Sequence, residues 1–83
     1  MKYYVYLLVS SHKKKIISYV GYTNNLKKRV FLHNSSKGAK FTKGKKWKYI
    51  YKKKYTTKSE AMKNEYQLKK DRKKRNYIKS KFI

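Results

Sequence analysis

The sequence predicts an α+β fold: a three-stranded antiparallel sheet in β-β-α-β-α order, flanked by helices. Two runs rich in aromatic and β-branched residues, residues 3–9 (YYVYLLV) and 16–21 (IISYVG), are separated by a polar stretch, residues 10–15 (SSHKKK). A third run, residues 47–55 (WKYIYKKKY), alternates aromatic or apolar residues with Lys through Tyr51. Two further segments open with helix-start signals. At 83 residues the expected organisation is one domain over 1–83, with a basic tail over about 71–83 and a thin core.

Each element has its own local reason. The first two runs read as strands of a hairpin. A symmetric loop would set Val9 opposite Ile16 and therefore Tyr6 opposite Tyr19, bringing two phenols side by side. Thr23, Asn24 and Asn25 are N-cap residue types, and they introduce a helix over 26–33 whose buried stripe is Leu26 and Val30. Residues 34–46 hold two glycines and many lysines and read as a basic loop. Residues 47–55 form the third strand. Thr57 and Glu60 stand at capping-box spacing and start a second helix over 58–70, with Ala61, Met62 and Leu68 on its apolar face. Residues 69–83 are basic with scattered Tyr77, Ile78, Phe82 and Ile83, compatible with a short final helix or partial disorder.

Charge limits the function classes. Lys and Arg number 26 against 3 Asp and Glu, a formal net charge of +23. Such self-repulsion costs stability, and a polyanion relieves it. Nucleic acid is the natural partner, because binding it also releases counterions. Only Arg29, Arg72 and Arg75 are arginine, so compositional drift accounts for the choice of Lys but less well for the scarcity of acids. The expected footprint is Lys37, Lys40, Lys43, Lys45 and Lys46 in the loop, with Lys69 and Arg72 beyond it. A membrane surface fits less well, because the basic residues are spread along the chain and not confined to one amphipathic helix. The apolar run over 3–9 is too short for a signal core or a span, so the expected setting is cytoplasmic. With no Cys there is no disulfide or thiolate zinc site. No Walker-type glycine loop or Ser-His-Asp set is present either.

The three acids sort by context. Glu60 has a role in the capping box. Asp71 lies among cations near a helix end. Glu65 falls on the apolar side of its helix, where a carboxylate is costly unless it is paired or binds a cation. Two readings stand: a half-buried salt bridge, for example to Arg29, or a metal-binding or catalytic carboxylate. Magnesium is commonly held by one or two carboxylates together with substrate phosphate and water. Arg29 and His33, four residues apart, share a helix face and could grip a phosphate. Phe41, Trp47 and Tyr49 could stack on bases, although strand-three core is the simpler reading of Trp47 and Tyr49. For phosphodiester hydrolysis the available toolkit is a phenol or His to activate water, an Arg for developing charge, and one metal at Glu65.

Tyr4-Val5-Tyr6 and, after a twelve-residue gap, Tyr19-Val20-Gly21 resemble the signature of GIY-YIG endonucleases. Arg29 ten residues beyond Tyr19, the run Lys37-Gly38-Ala39-Lys40-Phe41-Thr42-Lys43-Gly44, and Glu65 after Ser59-Glu60-Ala61 fit the same pattern. The likeness spans about residues 3–76 and is closest to the small, single-domain UvrC-like and YhbQ-like (UPF0213-type) branch. The resemblance implies a metal-dependent endonuclease acting on DNA, in repair or recombination, with one Mg²⁺ or Mn²⁺ ion on Glu65. Arg29 would stabilise phosphate, and Tyr6 or Tyr19 would activate water with His33 assisting. A phenol, with an ordinary pKa of about 10, would need help from Arg29, the metal or nearby Lys. Gly21 would make the turn after the second Tyr. The first triplet lacks the family's glycine, and Tyr22 stands where some relatives carry Lys. With no separate DNA-binding domain, specificity would come from the loops, the basic surface, homodimerisation or another protein. The competing reading is a catalytically idle basic module that binds DNA or structured RNA.

Overall fold

The structure, a computed structural model, describes residues 2–12, 15–35 and 46–82. The order is β1 (Tyr3–His12), β2 (Lys15–Thr23), α1 (Leu26–Asn34), β3 (Lys48–Tyr55), α2 (Lys58–Lys70) and α3 (Arg72–Phe82). The sheet is antiparallel with strand order β2-β1-β3. The expected α+β architecture is therefore observed, and the tail forms a third helix.

β1 is central, and Val5 through Ser10 are all buried. That explains why the first run is continuously apolar: both faces of the strand are covered. On one face Tyr6, Leu8 and Trp47 pack with Ile17, Tyr19, Tyr49 and the α1 residues Leu26 and Val30. On the other, Val5, Leu7 and Val20 pack with Ala61 and Leu68 of α2, Ile50, Tyr51 and Tyr55 of β3, and Ile78 of α3. α1 thus lies on one side of the sheet and α2 with α3 on the other. A bulge opposite Leu7 and Leu8 sets Tyr51 and Tyr49 against successive β1 residues and leaves Ile50 as the extra residue. As a result Ile50 and Tyr51 both join the α2/α3 side.

The hairpin register differs from the symmetric expectation. Tyr6 pairs with Gly21, Leu8 with Tyr19 and Val9 with Ser18. Ser10, Ser11 and His12 continue the ladder to Lys15, so the strands run further into the polar stretch than their composition suggests. The offset is two residues, which preserves the face of every side chain, so Tyr6 and Tyr19 still share the α1 side.

The helix starts follow their capping signals. Asn25 is the N-cap of α1, its Oδ1 accepting the Lys28 N–H at 3.0 Å. Thr57 Oγ1 accepts the Glu60 N–H at 3.2 Å, and the Thr57 hydroxyl donates to Glu60 Oε1 at 3.2 Å. Asp71 ends α2 and starts α3: its Oδ1 accepts the Lys74 N–H at 3.0 Å. Met62, expected on the buried face of α2, is exposed. One position after Ala61 lies about 100° around the helix, and Ala61 with Leu68 holds the contact instead. Among the described residues, no helix is long and apolar enough to cross a membrane.

Candidate active site

Tyr6 is the hub. Its side chain is fully buried, and its hydroxyl meets two groups from α1: Arg29 Nε donates to it at 3.2 Å, and His33 Nε2 lies 3.0 Å away. Arg29 and His33 reach the same atom because they are one helical turn apart, the helix-face relation their spacing predicted. Arg29 can only donate, so His33 Nε2 is positioned to accept the phenol hydrogen in the tautomer that carries its proton on Nδ1.

The direct register of Tyr6 against Gly21 gives the glycine a steric reason. A Cβ at Gly21 would collide with the Tyr6 hydroxyl and lie 2.6 Å from its Cζ. The ring occupies the space a side chain would need, so close approach, rather than an unusual backbone turn, requires glycine here.

Burial sets the electrostatics. It pushes the Tyr6 phenol above its ordinary pKa, with the Arg29 hydrogen bond and charge working in the opposite sense. The Tyr6 hydrogen bond raises Arg29, which stays a cation, and the Tyr19 phenol adds to the same effect. His33 is lowered, first by burial and then by the Arg29 charge. Tyr49, whose hydroxyl donates to the Leu26 carbonyl at 2.6 Å, is pushed up to about 12 by burial.

The lowered His33 has a consequence for stability. Its folded pKa lies below the unfolded value, so the unfolded chain takes up a proton that the folded chain resists. Stability is therefore unaffected above about pH 6.5 and falls as pH drops below it. With only three Asp and Glu in the chain, few carboxylates blur the effect. Thermal unfolding followed from pH 7.5 to pH 5 should show a falling midpoint, and His33→Asn should flatten that slope. An equally steep slope in the variant would remove His33 as the cause.

Beside this hub is an open, polar cleft of about 380 Å³ lined by Tyr3, Tyr19, Gly21, Tyr22, Thr23, Asn24, Arg29, Lys58 and Glu65. It sits where the end of β2, the start of α1 and one face of α2 meet. The sequence-derived set divides here. Tyr19, Arg29, Gly21 and Glu65 line the cleft, whereas Tyr6 and His33 are buried behind it, His33 meeting the Tyr19 ring edge-on at 5.1 Å. Glu65 is half-buried and pairs with Lys69, Nζ to Oε1 at 3.1 Å, one turn along α2 rather than with Arg29.

The remaining expectations divide similarly. Lys37, Lys40, Phe41, Lys43 and Lys45 lie outside the described residues. Lys46 and Arg72 are exposed. Trp47 is buried and Tyr49 half-buried, both in the α1-side core. Lys58 was not singled out from sequence. It follows the N-cap of α2, and only the packing of α2 against the sheet brings it to the cleft.

The cleft contains one carboxylate. Among the described residues no group of three or more His, Cys, Asp or Glu comes together. The donor set is thus Glu65 with neutral oxygens nearby, and Glu65 already attracts the Lys69 ammonium. This suits a hard, largely hydrated divalent ion that completes its shell with water and phosphate oxygens.

Comparison with known proteins shows the family of the chain. A family model described as the GIY-YIG catalytic domain matches residues 2–78. A UPF0213 protein of Oceanobacillus iheyensis is 44% identical over 69 residues, covering 82% of this chain and 77% of that protein. A UPF0213 protein of Staphylococcus haemolyticus is 39% identical over 69 residues, covering 82% and 80%. The solution structure of a UPF0213 protein from Bacillus halodurans superposes with a TM-score of 0.53 at 35% identity, covering 96% of this chain and 84% of that one. With Tyr19, Gly21, Arg29 and Glu65 around one cleft, Tyr6 buried behind it and the domain match spanning nearly its whole length, the chain belongs to the GIY-YIG catalytic-domain family.

Proposed function

We propose that this protein is a metal-dependent endonuclease that hydrolyses phosphodiester bonds in DNA inside the cell. The observation that supports this most is the meeting of Tyr19, Arg29 and Glu65 in one open polar cleft on a protein of net charge +23.

The roles follow from access and charge. Glu65 would hold one Mg²⁺ or Mn²⁺ ion, which when bound supplies positive charge to the phosphate and its leaving oxygen. Arg29 faces the cleft as a permanent cation and would bind a non-bridging phosphate oxygen, stabilising the charge that builds as water attacks. Lys58 adds a second cation at the cleft wall. Tyr19 has the accessible phenol and would take the proton from the attacking water. Tyr6 is a positioning residue: sealed from solvent, it fixes the Arg29 side chain through its hydroxyl, and His33 fixes Tyr6.

Cleavage of plasmid, branched DNA and structured RNA with Mg²⁺, Mn²⁺ or EDTA tests the reading. Metal-dependent nicking of DNA is expected. Tight, salt-sensitive binding with no cutting under any condition would leave an idle binding module. Within an active protein, Tyr19→Phe should lower the rate by about 10²-fold or more, the usual scale for a lost general base. It should leave binding unchanged. Wild-type rates in that variant would rule out Tyr19 as the base.

A further inference from the structure

At the opposite edge of the sheet from the cleft, β3 and α3 enclose a second groove of about 430 Å³, lined by Tyr49, Ile50, Tyr51, Lys74, Tyr77, Ile78 and Lys81. Its floor is apolar, built from the bulge residue Ile50 with Tyr51 and Ile78. Its rim combines exposed aromatic surface with cations. Tyr77 is 60% exposed, Lys81 Nζ lies 4.7 Å from the Tyr77 ring centroid, and Lys74 Nζ lies 5.7 Å from that of Tyr51. Six of the eleven residues of α3 are basic and none is acidic.

We infer that this groove is a docking site for an unpaired segment of single-stranded DNA, with a base stacked on Tyr77 and the flanking phosphates on Lys74 and Lys81. An ammonium over one ring face leaves the other face for a base. The arrangement is the one single-strand binding requires, since stacking is indifferent to base identity and needs the base free of its duplex. A rigid duplex offers only phosphates to such a groove, and an apolar peptide would have to bury its side chains beside Lys74 and Lys81. The site lies two strand spacings from the β2 edge, roughly 10 Å. It would therefore select DNA in which a strand is already unpaired next to the phosphate to be cut. The inference rests on the nucleic-acid part of the reading above and is independent of catalysis.

Binding of a short fluorescent oligothymidine, its abasic counterpart and a duplex is measured in EDTA with the full chain, so cleavage plays no part. Tyr77→Ala is expected to weaken oligothymidine binding about 5- to 150-fold, the range for loss of one stacked base. It should change abasic and duplex binding less than twofold. Tyr77→Phe should bind as wild type. Lys81→Ala should lower the salt slope for single strands by about 0.7. The proposal is overturned if Tyr77→Ala leaves oligothymidine binding unchanged, or weakens all three probes equally. It is also overturned if oligouridine binds markedly tighter than oligothymidine, which would make the occupant RNA. Self-association lost on Tyr77→Ala with DNA binding intact would give the groove to a second copy and overturn it too. If the binding pattern holds and no DNA is ever cut, the docking site stands and the nuclease reading alone falls.

Discussion

Glu65→Gln should abolish metal-dependent cleavage, lowering the rate by about 10³-fold or more, while DNA binding in EDTA stays the same or tightens slightly. The substitution keeps the side-chain shape and one oxygen but removes the only acidic side chain lining the cleft among the described residues. Charge stabilisation by a metal ion is worth several kcal/mol, and each 1.36 kcal/mol is about tenfold in rate. Binding follows the opposite sign, because losing an anion cannot weaken attraction to phosphate. The variant also breaks the pair with Lys69. Half of the Lys69 side chain is exposed, so that loss is about 1 kcal/mol at most and should barely move the unfolding midpoint. Mn²⁺ titration of the free protein provides a readout separate from activity: the wild type should bind one ion and the variant none. Wild-type cleavage and metal binding in Glu65→Gln would refute the assignment of Glu65 as the metal ligand.

Gly21→Ala should produce the largest loss of stability. The added methyl must enter space held by the Tyr6 phenol, whose Cζ would be 2.6 Å away. The ring has nowhere easy to go: Tyr49 packs edge-on against it at a centroid distance of 5.3 Å, and its hydroxyl is held by Arg29 and His33. Overpacking of this kind costs about 1–3 kcal/mol, roughly 5–20 °C in the unfolding midpoint of a domain this small. Any shift of the ring also pulls Arg29 from the cleft, so activity should fall even below the melting range. The double variant Gly21→Ala, Tyr6→Phe removes the hydroxyl that the methyl strikes and should recover part of the lost stability. An unchanged midpoint in Gly21→Ala would mean that the Tyr6 ring is not confined as described.

Much of this was legible in the residues. The unbroken apolar character of residues 3–9 reflects a strand covered on both faces, and the Thr57–Glu60 spacing marks the start of α2. The lone half-buried acid of α2 and the Arg–His pair of α1 also stand out by position alone. The rest depends on tertiary context. Ser10, Ser11 and His12 have loop composition, yet the neighbouring ladder carries them on as strand, which moved the register by two and gave Tyr6 a glycine rather than a tyrosine as its partner. α3 has few apolar residues to mark a buried stripe, and Ile78 with the Asp71 cap is enough once α2 and β3 are in place. That Tyr6 would be sealed and Tyr19 open could not be read from two similar triplets, because it depends on which strand is central.

The position of β3 has one more consequence. It is an edge strand, and Lys52, Lys53 and Lys54 are exposed along it. A bare edge invites another chain to add its own strand, and closely spaced lysines are a common defence. Here the defence is a charge that DNA can neutralise. Protein crowded onto a polyanion near charge balance loses the repulsion that keeps sheet edges apart, so self-association should be greatest there, with dispersal when either component is in excess.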